Sequence, residues 1–242
     1  AELGQRVADA VAQGRRVHFL KPYRAEHTLK LTALVGLKPT IVASYRSEPL
    51  HKAVVAQRNI KSAAEVEEIE RAIGVSKQMY LTAMAAARPG KHEYEVVAEI
   101  MRCAKANVCD LSLPIICSVH GETLHNHNHA NLMQQGDVMV LDSGVETPNK
   151  YASDITRPIP VGGAFTPQQR LIYEMVLRAQ IASIKAIKPG VAYKDVHLLA
   201  ARSFATDLKA AGLMKGDVGE AVAAGAHALF FPHGLGHMIG MD

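Results

Sequence analysis

Residues 137–162, DVMVLDSGVETPNKYASDITRPIPVG, carry the strongest structural signal in the chain. The segments 138–142 and 151–159 are rich in apolar and β-branched residues, which predicts two strands. The residues between them, 147–150, read Thr-Pro-Asn-Lys, a composition typical of a turn. The stretch therefore predicts an antiparallel hairpin.

An acidic pair lies within this hairpin. If the turn centres on Pro148, Asp142 pairs with Asp154 and their Cβ atoms lie about 5 Å apart. Burying two carboxylates together costs several kcal/mol unless something compensates them. A divalent cation is the simplest compensation, and a shared proton is the other. The alternative is that both aspartates lie at strand ends in water, paired with Lys150 or Arg157.

Histidines are concentrated in two further clusters. Their members are His120, His125, His127 and His129 in the first and His227, His233 and His237 in the second. In the first cluster histidine alternates with asparagine from 125 to 129, which predicts three histidines on one face of an extended segment. That face is a metal site, a pH-sensitive surface or a polar loop edge. In the second, the surrounding glycines and Pro232 argue against a helix and favour close backbone approach to a ligand. Two carboxylates with one imidazole favour manganese, cobalt or zinc over copper and leave positions open for water.

The flanking sequence contains a repeat. Ser62-Ala-Ala-Glu65 and Thr166-Pro-Gln-Gln169 are both capping boxes that predict helix starts. The helices that follow end at Pro89-Gly90 and Pro189-Gly190, 100 residues apart, and a second helix follows each. We interpret this as an internal duplication of helix–helix–strand units around a shared sheet. A chance likeness of two Pro-Gly stops is the alternative.

Composition excludes several classes of protein. The 48% hydrophobic content excludes a wholly disordered chain, no apolar run is long enough to span a membrane, and a net charge of +4 indicates no nucleic-acid partner. The three cysteines, Cys103, Cys109 and Cys117, make no disulfide framework and are interpreted as reduced thiols. Ser143 lacks the context of a hydrolase nucleophile. The N-terminus has no signal-peptide pattern.

Several segments together resemble the pita-bread metallopeptidases, most closely their proline-specific branch, aminopeptidase P and prolidase. The resemblance rests on five segments: 58–65, Leu124-His125, Leu141–Gly144, Ala152–Arg157 and the stretch 230–242, FFPHGLGHMIGMD. It implies an α+β pita-bread fold with an internal pseudo-twofold repeat, consistent with the repeat described above.

The resemblance also implies a domain organisation. Residues 1–58 correspond to the end of an N-terminal domain with its linker, and residues 59–242 to the catalytic domain, incomplete at the C-terminus. Two glutamate ligands and a further histidine of the family lie beyond Asp242.

A set of site residues follows from the same resemblance. Asp142, Asp154 and His237 match metal ligands of a dinuclear centre, usually manganese, with cobalt or zinc as alternatives. His125 and His233 match catalytic residues that contact the substrate and steady the scissile carbonyl or the transition state. No separate organic cofactor is implied.

The implied function is that of a metal-dependent Xaa-Pro aminopeptidase, which removes the first residue of peptides with proline at position two by attack of a metal-bridging hydroxide. An Xaa-Pro dipeptidase (prolidase) and a non-catalytic peptide- or protein-binding module are the alternatives. We expect peptide partners, no nucleic acid or membrane, a homodimer and a cytoplasmic location.

Overall fold

The computed structural model describes residues 2–241 and divides the chain into two compact units, residues 1–64 and 65–242. The expected domain boundary after residue 58 stays a prediction. The first unit is helical, and its helices are α1 (Glu2–Ala12), α2 (Ala25–Val35), α3 (Pro39–Val42) with a 3₁₀ turn at Ala43–Tyr45, and α4 (Glu48–Asn59). Within it Ser47 caps α4 by accepting from the Leu50 N–H at 3.2 Å, as serine at a helix start commonly does.

The repeat predicted from the sequence is present as two helix–turn–helix units. They consist of α5 (Ala63–Ala86) with α6 (Glu93–Ala106), and α7 (Pro167–Ala186) with α8 (Tyr193–Ala210). Gly90 and Gly190, in the two connecting turns, both have a φ of 84°. The turns are closed by the same type of hydrogen bond, Lys91 N–H to Arg88 O at 3.3 Å and Val191 N–H to Lys188 O at 3.1 Å. A short helix, α9 (Val218–Ala223), and a 3₁₀ turn at Ala226–Leu229 follow α8.

The strands form two small antiparallel sheets. One pairs β1 (Asp110–Leu111) with β4 (Val145–Glu146). The other has the order β2 (Ile116–Ser118), β3 (Val138–Ser143) and β5 (Ile155–Pro160). The predicted hairpin is therefore confirmed, with β5 beginning four residues later than expected.

The predicted pairing of Asp142 with Asp154 is wrong by two positions. Asp142 pairs with Thr156, and Asp154 immediately precedes β5. The reason lies in the turn, where Lys150 adopts a left-handed φ of 70° and Thr147 N–H bonds to the carbonyl of Tyr151 at 2.9 Å. The turn is therefore centred on Asn149 rather than Pro148, and a shift of one residue in its centre moves each pairing by two positions. Because side chains alternate with period two, Asp142 and Asp154 still lie on one face.

The main hydrophobic core lies between the sheet and the helix pair α5–α6. On β3 the buried side chains are Met139, Leu141 and Ser143, whereas Asp142 is on the half-buried opposite face. Tyr80 of α5 extends from the core to the sheet. On β3 its hydroxyl lies 3.1 Å from the Leu141 carbonyl and accepts from Ser143 N–H at 3.2 Å, and on β5 it contacts the Ile155 carbonyl. One buried hydroxyl thereby fixes β3 against β5 beside both aspartates.

The helices of residues 2–241 include none whose length and apolar character would let it cross a bilayer.

Candidate active site

A pocket of about 1050 Å³ opens beside the strand pair β3–β5. The five residues singled out from the sequence all line it: His125, Asp142, Asp154, His233 and His237. They come from three segments distant in sequence, namely a loop before β3, the β3–β5 pair and the glycine-rich C-terminal stretch. The tertiary structure therefore brings together the residues that the sequence predicted to act together.

The two aspartates are electrostatically coupled. Burial raises the pKa of Asp142, and the nearby carboxylate of Asp154 raises it further. The hydroxyl of Thr156 opposes this shift by donating to Asp142 Oδ1 at 2.8 Å. The imidazole of His125 lies close enough to lower the pKa of Asp142 slightly as well. Neither Lys150 nor Arg157 pairs with the aspartates, since Lys150 bonds to Glu146 and the Arg157 guanidinium bonds to a backbone carbonyl.

His237 reaches the acidic pair from the C-terminal stretch. Its Nε2 lies 3.1 Å from Asp154 Oδ2, and its Nδ1 lies 2.8 Å from the Met238 carbonyl. The pKa of His237 is raised, mainly by the hydrogen bond to the Met238 carbonyl and further by the charge of Asp154. Burial of the ring acts in the opposite direction and lowers it. The Met238 contact also fixes which ring nitrogen is left to face the aspartate.

His125 occupies a strained position in its loop. Its φ of 53° lies in the left-handed region, which histidine adopts more often than most residues but still at some cost in free energy. Its neighbours His127 and His129 do not join it, because Nδ1 of His127 and Nε2 of His129 both lie within hydrogen-bonding distance of the Ile115 carbonyl. The left-handed backbone of His125 breaks the extended segment on which the prediction of three histidines on one face rested, and the interpretation of His127 and His129 as a polar loop edge stays a prediction.

His233 is placed by aromatic packing. The buried ring of Phe231 contacts the His233 ring edge-to-face at a centroid distance of 5.3 Å and stacks on His197 at 5.1 Å. The absence of a helix predicted for this stretch is confirmed. Gly236 leaves room for the ring of Tyr193, because a Cβ at this position would lie 2.7 Å from its hydroxyl and the ring would have to move.

Sequence reasoning missed three residues of the site. Thr156 orients Asp142, Tyr80 holds the strands beneath the acidic pair, and Tyr193 lines the pocket from the start of α8. Thr156 lies two residues after Asp154, so a correct register would have identified it. Tyr80 and Tyr193 reach the site only through tertiary packing and left no local signal.

The donor set has the chemistry of a divalent-metal site. Asp142, Asp154 and His237 supply carboxylate oxygens and an imidazole nitrogen, and burial together with the neighbouring carboxylate of Asp154 raises the pKa of Asp142. In the described part of the chain, residues 2–241, no three His, Cys, Asp or Glu side chains form a group arranged to hold an ion. His237 and Asp154 instead bond to each other.

Comparison with known proteins places the chain in a defined class, the metallopeptidases. The sequence pattern of metallopeptidase family M24 matches residues 67–242, and the chain belongs to this family.

Individual relatives agree with this assignment. A probable Xaa-Pro aminopeptidase of Phaeosphaeria nodorum is 35% identical over 209 residues, which cover 84% of this chain and 45% of the relative. The structure of E. coli aminopeptidase P with the inhibitor Pro-Leu is similar with a TM-score of 0.76 and 35% identity, over 78% of this chain and 44% of that one. A zinc-substituted E. coli aminopeptidase P in complex with product has a TM-score of 0.80 and 29% identity, over 93% and 53% of the two chains.

The expected pita-bread fold is confirmed by these structures. The chain spans about half the length, or less, of the curated relatives it matches.

Proposed function

We propose that the protein carrying this chain is a metal-dependent Xaa-Pro aminopeptidase. The observation that supports it most is the single pocket that holds both aspartates and the three histidines expected from the family resemblance. The names of similar proteins, Xaa-Pro aminopeptidases and aminopeptidase P, favour the same activity.

In this proposal Asp142, Asp154 and His237 ligate metal. A divalent ion bound there would polarise the scissile carbonyl and activate a water molecule. Thr156 orients one carboxyl, while Tyr80 keeps the two strands at a fixed separation beneath the pair. The raised pKa of Asp142 supports the assignment, because a cation would relieve the repulsion that causes part of the shift.

His125 and His233 are proposed to contact the substrate. The bond between a first residue and proline is a tertiary amide without an N–H, so its nitrogen offers the site no hydrogen to bind. Donors that face the carbonyl then carry recognition and transition-state stabilisation. His125 and His233 come from two segments that are distant in sequence and both line the pocket. Their exposed rings can supply such donors.

The activity test compares an Xaa-Pro dipeptide with an Xaa-Pro-Xaa tripeptide, each with and without manganese. Cleavage of the tripeptide supports the aminopeptidase, and cleavage of the dipeptide alone indicates prolidase. If neither substrate turns over at any metal concentration, the protein is a binding module and the proposal fails.

The ligand assignment is tested by calorimetric titration with Mn²⁺. Asp154→Asn should lower activity and metal affinity by more than about 100-fold because a carboxylate ligand is lost. The matched control is Asp217→Asn, at the start of α9, where asparagine still accepts from Glu220 N–H and caps the helix equally well. Equal losses in the two variants would show that the site is misplaced.

Three narrower statements complete the proposal. We propose two manganese ions as the metal content, a homodimer as the assembly and the cytoplasm as the location. The family resemblance supports the metal content and the assembly. The free thiols of Cys103, Cys109 and Cys117 support the cytoplasmic location. Metal analysis, light scattering and cell fractionation test them in turn.

A further inference from the structure

Glu93 is a fully buried carboxyl at the first position of α6. Buried acidic side chains are rare and require hydrogen-bond partners, because desolvation of an unpaired carboxyl costs several kcal/mol. Glu93 lies outside the pocket described above, so the proposed chemistry does not account for it.

The partners of Glu93 come from both ends of one loop. Val119 donates its backbone N–H to Oε1 at 2.7 Å, and the side-chain amide of Asn131 donates to both carboxyl oxygens at 3.1 Å. The intervening residues, 120–130, contain His125 and contribute one wall of the pocket. A single buried carboxyl therefore ties together the two points where this loop leaves the body of the unit.

The start of α6 strengthens the same attachment through its backbone. Glu93 N–H donates to the Asn131 carbonyl at 3.1 Å, and Tyr94 N–H donates to the His129 carbonyl at 2.9 Å. These N–H groups belong to the first turn of the helix, which has no partners within the helix itself. The positive end of the helix also favours a carboxylate at this position.

The loop needs such support because His125 holds a left-handed backbone conformation. A strained residue of this kind persists only where its surroundings over-determine its position. The His125 ring makes no hydrogen bond within residues 2–241, and its loop is held by the Glu93 contacts at both ends and by the contacts of His127 and His129 with the Ile115 carbonyl.

We propose that Glu93 is a positioning residue that fixes residues 120–130 and so holds His125 in the pocket. The role assigned to His125 rests on the proposed function, whereas the clamp itself does not. Glu93 acts through the loop and does not touch the substrate.

The first experiment measures amide hydrogen exchange in the metal-free chain. In Glu93→Ala, exchange within residues 120–130 should accelerate at least about 10-fold, with β3 unchanged. Asn131→Ala, which removes one donor and keeps the carboxyl, should give a smaller acceleration in the same loop. The control Glu99→Gln, an exposed position on the same helix paired with Arg102, should leave the loop unchanged.

Glu93→Gln provides a conservative rescue. Glutamine retains an acceptor for Val119 N–H, and the Asn131 amide can turn its oxygen toward the new amide group. Loop protection should therefore return to within about 3-fold of the unmodified protein. Unchanged loop exchange in Glu93→Ala would overturn the proposal, and so would acceleration of equal size in β3, which would indicate general loss of structure.

The second experiment measures kinetics in the complete protein. Glu93→Ala should reduce kcat/KM by about 10-fold or more while the dissociation constant for Mn²⁺ changes less than about 3-fold. Combined with His125→Ala, it should cause no further loss, because residues that act through one another are not additive. Fully additive losses would overturn the proposal. If the protein cleaves no Xaa-Pro peptide, the proposed function fails while hydrogen exchange still decides the clamp.

Discussion

Asp142 lies opposite Thr156 on the neighbouring strand and accepts a hydrogen bond from its hydroxyl at 2.8 Å. Asp154 is therefore the diagonal rather than the direct neighbour of Asp142. The two carboxyls still lie close enough for Asp154 to raise the pKa of Asp142. The threonine holds one carboxyl in place, and the two aspartates repel each other across the strand pair.

The repulsion predicts that Asp142→Asn stabilises the metal-free protein. Asparagine keeps an oxygen that can accept from Thr156 and removes one of two like charges, so the free energy of unfolding should rise by about 0.5 kcal/mol. The same change should abolish Mn²⁺ binding. Chemical denaturation in the presence of a chelator measures the first effect and calorimetry the second. A less stable metal-free variant would contradict the coupling of the aspartates.

Tyr80→Phe should destabilise the β3–β5 pair. The hydroxyl of Tyr80 contacts backbone groups of both strands within the core, and its loss should cost about 1–3 kcal/mol because buried polar groups lose a partner. Denaturant unfolding measures this cost. Tyr94→Phe, at a half-exposed ring stacked on His92, should change stability by less than about 0.5 kcal/mol. Similar losses in the two variants would argue against the strand-fixing role.

Gly144→Ala tests the close approach of strands beside the site. An added Cβ would lie 1.8 Å from the carbonyl oxygen of Ser153, so the backbone must move and stability should fall by about 3 kcal/mol. The control is Gly74→Ala within α5, where no atom lies within 4 Å of the added Cβ and stability should rise by about 1 kcal/mol. Thermal unfolding of both variants should therefore shift in opposite directions, and a neutral Gly144→Ala would contradict the packing.

The thiols should differ in reactivity. Burial raises the pKa of Cys117 to about 12, with Glu93 adding to the shift, and burial also raises the pKa of Cys109. Since the thiolate is the reactive form, both thiols should resist a disulfide reagent at about pH 8, while the partly exposed Cys103 reacts first. In the denatured protein all three thiols should react with the reagent. Rapid reaction of Cys117 in the folded protein would contradict its burial.

The raised pKa of Cys117 makes the stability of the folded protein depend on pH in the alkaline range. The folded state retains the Cys117 proton at pH values where the unfolded chain has lost it, so this contribution to stability is complete below the ordinary thiol pKa and declines as pH rises toward about 12. Cys117→Ala should weaken the alkaline loss of stability, as measured by denaturation across that range. An identical alkaline profile in the variant would count against the raised pKa.

Local sequence was sufficient for the helix pairs and the hairpin. The capping box of Thr166 and Gln169 defines the start of α7 through hydrogen bonds within a few residues, and α5 begins directly after Ser62, as its sequence predicts. The alternation of the strands identified the segments that become β3 and β5. The family resemblance, carried by short segments around the aspartates and histidines, agrees with the assignment to metallopeptidase family M24.

The register and the supporting residues could not be derived in this way. The turn that contains the left-handed residue Lys150 is centred on Asn149 rather than Pro148, which moved the partner of Asp142 by two positions. Its conformation depends on the hydrogen bonds that close the loop, and the residue types alone did not fix the centre of the turn.

The amino-acid sequence by itself thus predicted the residues that line the pocket and determined the elements that bear them, because residue type, capping and periodicity act over a few positions. Only the tertiary structure decided how the carboxyls face each other, that Tyr80 lies beneath them and that Glu93 holds the loop of His125. These relationships join residues twelve or more positions apart, and they depend on packing distances of a few ångströms that no local pattern encodes.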